Sequence, residues 1–276
     1  MLDSHHHLWN ISRGDYAWMG NHVRPLLRDF GPEHLAPLLA RSGVTQTILV
    51  QAAETDAETD FLLSIAERTD FVAGVVGWAD LESSDFVGRL AVLRQNRFLV
   101  GLRPMLQELP DDDWILRPRV MDNLARISDS GLVLDILGFP RHLPYVTEAL
   151  RRTPGLVAVV DHLAKPDIKS GSLDPWRDAI YGIAENPQVY CKVSGLVTEA
   201  SPDWSVAELR PYVDHVVQAF GPDRLLFGSD WPVCTLSASY AEVVNAAWVL
   251  LSPHFGSEQM DRVFRVNGMK VYKLSR

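Results

Sequence analysis

Three consecutive histidines, His5, His6 and His7, stand near the N-terminus between Asp3-Ser4 and Leu8-Trp9. Side chains two apart on an extended chain share a face, so His5 and His7 point together while His6 points away. A paired set of imidazoles is useful when something chemical is held between them. The run could be the remnant of an affinity tag, but it is short and passes directly into Leu8-Trp9, so it is read as part of the protein. Two distant residues carry the strongest complementary signals. Asp230, within Phe227-Gly228-Ser229-Asp230-Trp231-Pro232, is the stronger of the two. Arg103, before Pro104, is an obligate cation whose planar fork suits a carbonyl or anionic oxygen.

The rest of the chain must bring these groups together. Apolar, β-branched runs at residues 2–7, 45–51, 71–78, 98–103, 132–137, 156–162, 189–194 and 225–230 alternate with segments of helical periodicity. Helices are expected from Pro32 to a cap at Gly43, then at 57–68, 84–95, 118–130, 140–152, 175–185, 206–220, 237–251 and 258–265. Eight such pairs predict a (β/α)8 TIM barrel forming a single domain over residues 1–276. An open doubly wound sheet is the alternative, and it lacks its usual Gly-rich phosphate loop after the first strand.

In a barrel the C-terminal strand ends build the active site. Taken in order, those ends hold His5 and His7, Gln51, Trp78 and Asp80, Arg103, Asp135, Asp161 and His162, Lys192 and Ser194, and Asp230 and Trp231. Asp135 and Asp161 also read as turn caps, and Lys192 as an ion partner inside the barrel. His22, His34, His142, His215 and His254 fall in helices or loops and read as surface or packing residues; His22 is kept in reserve because it belongs to a long loop. That loop, 10–31, and a second one, 106–117, are rich in tryptophan, proline and acidic residues. Long ordered loops in compact domains are more often functional than decorative.

Composition narrows the function. Net charge is −9 and the sequence pI is about 5.4, with no basic block, which argues against nucleic acid as a partner. No apolar run is long enough for a membrane span and no signal peptide is recognisable, so a cytoplasmic protein with no membrane partner is expected. Cys191 and Cys234 lie far apart and suggest neither a disulfide framework nor a cysteine zinc site.

Asp3-Ser4-His5-His6-His7, Asp161-His162-Leu163-Ala164-Lys165-Pro166 and Gly228-Ser229-Asp230-Trp231-Pro232 together resemble the amidohydrolase superfamily, in the branch called amidohydrolase family 2. Gly101-Leu102-Arg103-Pro104 and Tyr190-Cys191-Lys192-Val193-Ser194-Gly195 extend the resemblance over essentially the whole chain. Within the branch it is most similar to the sugar lactonases, and more distantly to 2-pyrone-4,6-dicarboxylate lactonase. The resemblance implies catalytic roles for His5, His7, His162 and Asp230, with Asp230 as general base towards water. Arg103 stands where bimetallic members have a bridging lysine or glutamate, and Asp135 where many mononuclear members have a histidine. Two metal ions are therefore not expected. No cofactor is strictly required, and a single zinc on His5, His7 and Asp230 is compatible with their chemistry.

The expected substrate is a small sugar lactone and the expected setting sugar-acid catabolism. Trp9, Trp78 and Trp231 would offer flat apolar faces to the ring, and Gln51, Arg103, Lys165 and Ser194 polar contacts. A dianionic pyrone would call for a denser arginine cluster. The alternatives are a metal-dependent decarboxylase of the same superfamily and a non-catalytic sugar-binding barrel. Ring size, stereochemistry and oligomeric state are not written in the composition.

Overall fold

The computed structural model describes residues 1–274. Eight parallel strands run in sequence order, β1 Leu2–His6, β2 Gln46–Val50, β3 Val72–Gly77, β4 Leu99–Leu102, β5 Val133–Ile136, β6 Ala158–Val160, β7 Val189–Val193 and β8 Leu225–Phe227. The sheet closes on itself just beyond β8, where the Asp230 N–H donates to the His5 carbonyl (2.8 Å) and the His7 N–H to the Trp231 carbonyl (2.7 Å). Closure excludes the open doubly wound sheet and leaves a TIM barrel. Asp3 reinforces this seam, accepting from the Ser229 N–H at 2.8 Å and the Tyr240 hydroxyl at 3.0 Å, and burial pushes its carboxyl up to about 6.

Helices cover the outside: α1 Pro32–Ser42, α2 Asp56–Ala66, α3 Phe86–Leu93, α4 Pro118–Ser130, α5 Leu143–Arg152, α6 Trp176–Ala184, α7 Leu196–Glu199, α8 Val206–Phe220, α9 Tyr240–Leu251, α10 Ser257–Asp261 and α11 Asn267–Val271. Their starts follow local chemistry. Thr55, Ser205 and Ser239 each accept a backbone N–H of the first turn, and Gly43 ends α1 in the left-handed region at φ 67°. The short α7 has no counterpart among the sequence expectations, and the C-terminal helix continues past residue 265 through a π-turn, Arg262–Val266, into α11. Among the described residues, no helix is long and apolar enough to cross a membrane.

Three local departures from regular strands set the site. Between Asp3 and His6, β1 spans three residue steps while β2 spans only the two from Thr47 to Leu49. This bulge reverses the alternation: Leu2 belongs to the apolar interior, yet His5 and His7, not Ser4 and His6, arrive at the open end. The strands expected at 156–162 and 225–230 stop early, at Val160 and Phe227, because His162 and Asp230 take left-handed φ of 52° and 57° and leave the ladder.

The barrel interior is stratified. Leu2, Ile48, Val50, Val76, Val133, Val159 and Leu226 fill its closed end, where Val271 and Tyr272 plug it. A polar layer lies above them, and the cavity above that. The first long loop is tied down by Tyr16, whose hydroxyl donates to Glu58 at 3.0 Å, and by the Trp18 indole, which donates to the Ala52 carbonyl at 2.7 Å.

Glu58 lies buried under this loop, also accepting the Ala52 N–H at 3.1 Å, and burial pushes its carboxyl up to about 7. An unfolded glutamate titrates near ~4.3, so between these values the folded protein retains a proton that the unfolded chain has lost. Stability therefore falls as pH rises through that window. Glu58→Gln removes the titration and keeps an acceptor for the Ala52 N–H. Thermal unfolding from about pH 5 to about pH 8 should show a smaller loss of melting temperature in the variant than in the parent; parallel curves would mean that Glu58 is ionised across the range.

Candidate active site

The groups expected at the strand ends form two tiers. In the lower tier, fully buried Lys192 pairs with both Asp135 and Asp161, the latter at 2.9 Å, and the Tyr272 hydroxyl donates to Asp135 at 2.9 Å. Arg103 bridges the tiers. Its Nη1 donates to Asp161 Oδ2 at 3.0 Å, while Nη2 donates to the Gln51 carbonyl and, at 3.3 Å, to Gln51 Oε1. Burial opposes the negative charge on Asp161, but Lys192, His5 and Arg103 outweigh it and hold its carboxyl well below the usual range.

The upper tier is a cluster of nitrogens around one carboxylate oxygen. Asp230 Oδ1 lies 3.3 Å from His7 Nε2, 3.7 Å from His5 Nε2 and 3.8 Å from His162 Nε2, and the Nε2 atoms of His5 and His7 are 3.2 Å apart. His7 Nδ1 donates to the Val50 carbonyl at 2.8 Å, so in the neutral form of the ring Nε2 presents its lone pair to the cavity. Burial lowers the His5 ring far below the ordinary histidine value and the His162 ring to about 4, so both are neutral near neutrality. Burial also works against charge on Asp230, yet the imidazoles, His162 foremost, more than compensate and keep it anionic.

Ligands about 2.0–2.1 Å from a tetrahedral zinc stand roughly 3.3 Å from one another. The spacings among His5 Nε2, His7 Nε2 and Asp230 Oδ1, 3.2 to 3.7 Å, fit that requirement, as do their imidazole and carboxylate types. The donor set suits one small divalent cation.

His162 reaches the site by an unusual route. From His162 to Lys165 four consecutive non-glycine residues have φ between 51° and 56°, a left-handed turn that costs on the order of 1–2 kcal/mol per residue. It persists because its members are fixed from outside: Leu163 and Ala164 are buried, the Leu163 carbonyl accepts the Trp176 indole N–H, and Asp161 is held by Arg103. The His162 Nδ1 meets the Ser194 hydroxyl at 2.9 Å. Gly195 packs so closely that a Cβ there would lie 2.6 Å from His162 Nδ1, and its own φ is 65°.

The cavity above this floor has a volume of about 130 Å³, below the roughly 300–1,000 Å³ of pockets for drug-sized ligands. His7, Arg103, His162 and Asp230 form its polar floor, and Trp18, Met105, Leu137 and Val233 contribute apolar wall. Gln107, Thr198 and the Lys165–Glu199 pair, 3.2 Å apart, form a polar rim.

Several expected substrate contacts lie elsewhere. Trp9 is fully buried against Phe30, with its indole N–H given to the Arg28 carbonyl. Trp231 also packs on Phe30, ring centroids 5.3 Å apart, and Trp78 faces a separate surface groove beside α3. None of the three lines the cavity: Trp9 and Trp231 are turned into the packing around it, and Trp78 points to the outer groove. Gln51 and Ser194 act one step back, orienting Arg103 and His162. Trp18, Met105, Gln107, Thr198 and Glu199 were not singled out from sequence; the unusual length of the two loops was the available signal for Trp18 and Gln107.

The amidohydrolase family model matches residues 2–274. L-fucono-1,5-lactonase of Burkholderia ambifaria is 41% identical over 100% of this chain and 96% of its own length, and L-fucono-1,5-lactonase of Burkholderia multivorans is 38% identical over 88% and 86%. Crystal structures of an amidohydrolase from Burkholderia multivorans superpose with a TM-score of 0.94 and 99% coverage of both chains, at 34% identity in the form with bound HEPES and 35% in the form with bound zinc. A likeness that spans essentially the whole sequence and the whole barrel places the chain in the amidohydrolase family.

Proposed function

We propose that the protein is a hydrolase that opens the ring ester of a small sugar lactone, with a place in sugar-acid catabolism. The observation that carries this reading is an anionic Asp230 facing a cluster of imidazoles and the Arg103 guanidinium across a small cavity with a polar rim. The lactonase names of its relatives support the same reaction.

In this reading a water beside Asp230 attacks the lactone carbonyl as Oδ1 takes its proton. Negative charge then develops on the carbonyl oxygen. Arg103 can donate to it, as can His162 Nε2–H when the Ser194 hydroxyl donates to Nδ1. His7 cannot, because its proton is committed to the Val50 carbonyl; its lone pair is suited to ligation instead. Collapse of the tetrahedral species breaks the bond to the ring oxygen, which receives the proton back from Asp230, and a hydroxy acid leaves. A divalent cation held by His5, His7 and Asp230 would supply carbonyl polarisation and a more acidic water. Lys165, Glu199, Thr198 and Gln107 are positioned to read ring hydroxyls, and Trp18 offers an apolar face to the C–H side of the ring.

A pH-indicator screen of 1,4- and 1,5-sugar lactones tests the reading, since each turnover releases an acid. Asp230→Asn keeps the shape and removes the proton acceptor, so turnover should fall by ~10²-fold or more, with folding checked by circular dichroism; a folded variant of near-normal activity would exclude Asp230 as the base. Lys165→Met should raise KM by about ten- to a hundredfold with kcat little changed, the size of one lost hydrogen bond from a charged donor. A fall confined to kcat would move Lys165 from substrate recognition to chemistry.

The permanent charge of Arg103 can polarise the carbonyl without a cation. Dialysis against chelator should accordingly leave substantial activity, measured with metal content in the same sample. Inactivity reversed by zinc alone would assign the electrophilic role to the metal.

A further inference from the structure

One nitrogen in the buried tier faces two incompatible partners. His5 Nδ1 lies 3.2 Å from the Lys192 ammonium, which can only donate, and 3.3 Å from Asp161 Oδ1, which as a carboxylate can only accept. A neutral ring satisfies one of them at a time, and the choice fixes the opposite nitrogen. Nε2 of His5 lies 3.2 Å from Nε2 of His7, a lone pair because His7 gives its proton to Val50. Arg103 Nη1 gives one of its two N–H groups to Asp161 at 3.0 Å, and its contact with the same His5 Nε2 is longer, 3.4 Å. Asp161 Oδ1, though 2.9 Å from Lys192 Nζ, is buried and receives no well-directed hydrogen bond from the described residues. Both arrangements are thus built into one geometry.

We infer that Lys192 and Asp161 are positioning residues that let His5 exchange tautomers as a divalent cation enters or leaves. Without the cation, Nδ1 accepts from Lys192 and Nε2–H donates to His7. With a cation among His5, His7 and Asp230, the Nε2–H bond is broken, an Nδ1–H bond is formed and directed to Asp161, and the Nε2 lone pair is freed. The ring holds one proton in both states, so its charge is unchanged. Lys192 keeps Asp135 and Asp161 in both. Each state therefore leaves the His5 ring fully paired, and neither depends on which substrate is hydrolysed.

The test is direct observation of the ring proton. In protein with 15N-labelled histidine, two-bond 1H–15N correlations distinguish protonated from bare ring nitrogens, and comparison with His5→Gln assigns the His5 signals. Metal-free protein should carry the proton on Nε2, and protein with one equivalent of zinc should carry it on Nδ1. A proton on the same nitrogen in both samples overturns the inference. Zinc affinity, measured by chelator competition, gives a second readout. Asp161→Asn should weaken binding ~10- to 100-fold, as expected for losing an outer-shell carboxylate. Lys192→Met combined with Asp135→Asn leaves no carboxylate without its cation. It should bind zinc at least as tightly as the parent and hold the His5 proton on Nδ1 without metal. Weakened zinc binding in this folded double variant overturns the inference; should it not fold, the parent spectra alone decide. Failure of the lactone screen would leave these spectra unchanged.

Discussion

Two cations and two carboxylates share one dry layer of this barrel: Lys192 between Asp135 and Asp161, and Arg103 on the far side of Asp161. Taking such groups out of water costs several kcal/mol apiece, and only close mutual pairing offsets it. Breaking the Lys192–Asp135 pair would leave Asp135 without its cation, and breaking the Arg103–Asp161 pair would leave Arg103 without its carboxylate. The arrangement has little freedom, and that rigidity reaches the site. Asp161 anchors the guanidinium that faces the cavity and the entrance to the turn that carries His162. Lys192 touches His5. Orientation of the catalytic candidates is thus inherited from electrostatics below them.

The sequence exposed much of this framework. Eight apolar runs alternating with amphipathic segments are what a barrel requires, because parallel strands buried on both faces show continuous β-branched runs. Polar residues at strand ends then marked His5, His7, Arg103, His162 and Asp230, all of which meet at one rim. What stayed hidden depends on long-range registration. Nothing in Leu2-Asp3-Ser4-His5-His6-His7 announces a bulge; simple alternation from an inward Leu2 would have turned His6 to the interior. The tryptophans fail similarly. An aromatic ring beside a strand end can face substrate or packing, and only the path of loop 10–31 decides that Trp18 takes the first place and Trp9 the second.

Backbone strain and side-chain placement are connected here. Non-glycine residues seldom occupy the left-handed region, and here His162 to Lys165 and Asp230 do so around a single cavity. A regular strand would have sent alternate side chains to opposite faces. Leaving the ladder lets β6 present His162 and Lys165 towards the same space, one at the floor and one at the rim. The packing of Leu163 and Ala164 and the bond from Trp176 supply the restraint such a turn needs.

The plug formed by Val271 and Tyr272 also orders events in time. A ribosome delivers His5 first, then Arg103, Asp135, Asp161, Lys192 and Asp230, and Tyr272 after all of them. Until that residue has cleared the exit tunnel, Asp135 lacks its phenol and the closed end of the barrel lies open to water. Water there would screen the charges that hold His5 and Arg103. The nascent chain can therefore assemble strands and helices as they emerge, but the buried charged layer is sealed from below only once residue 272 is in place.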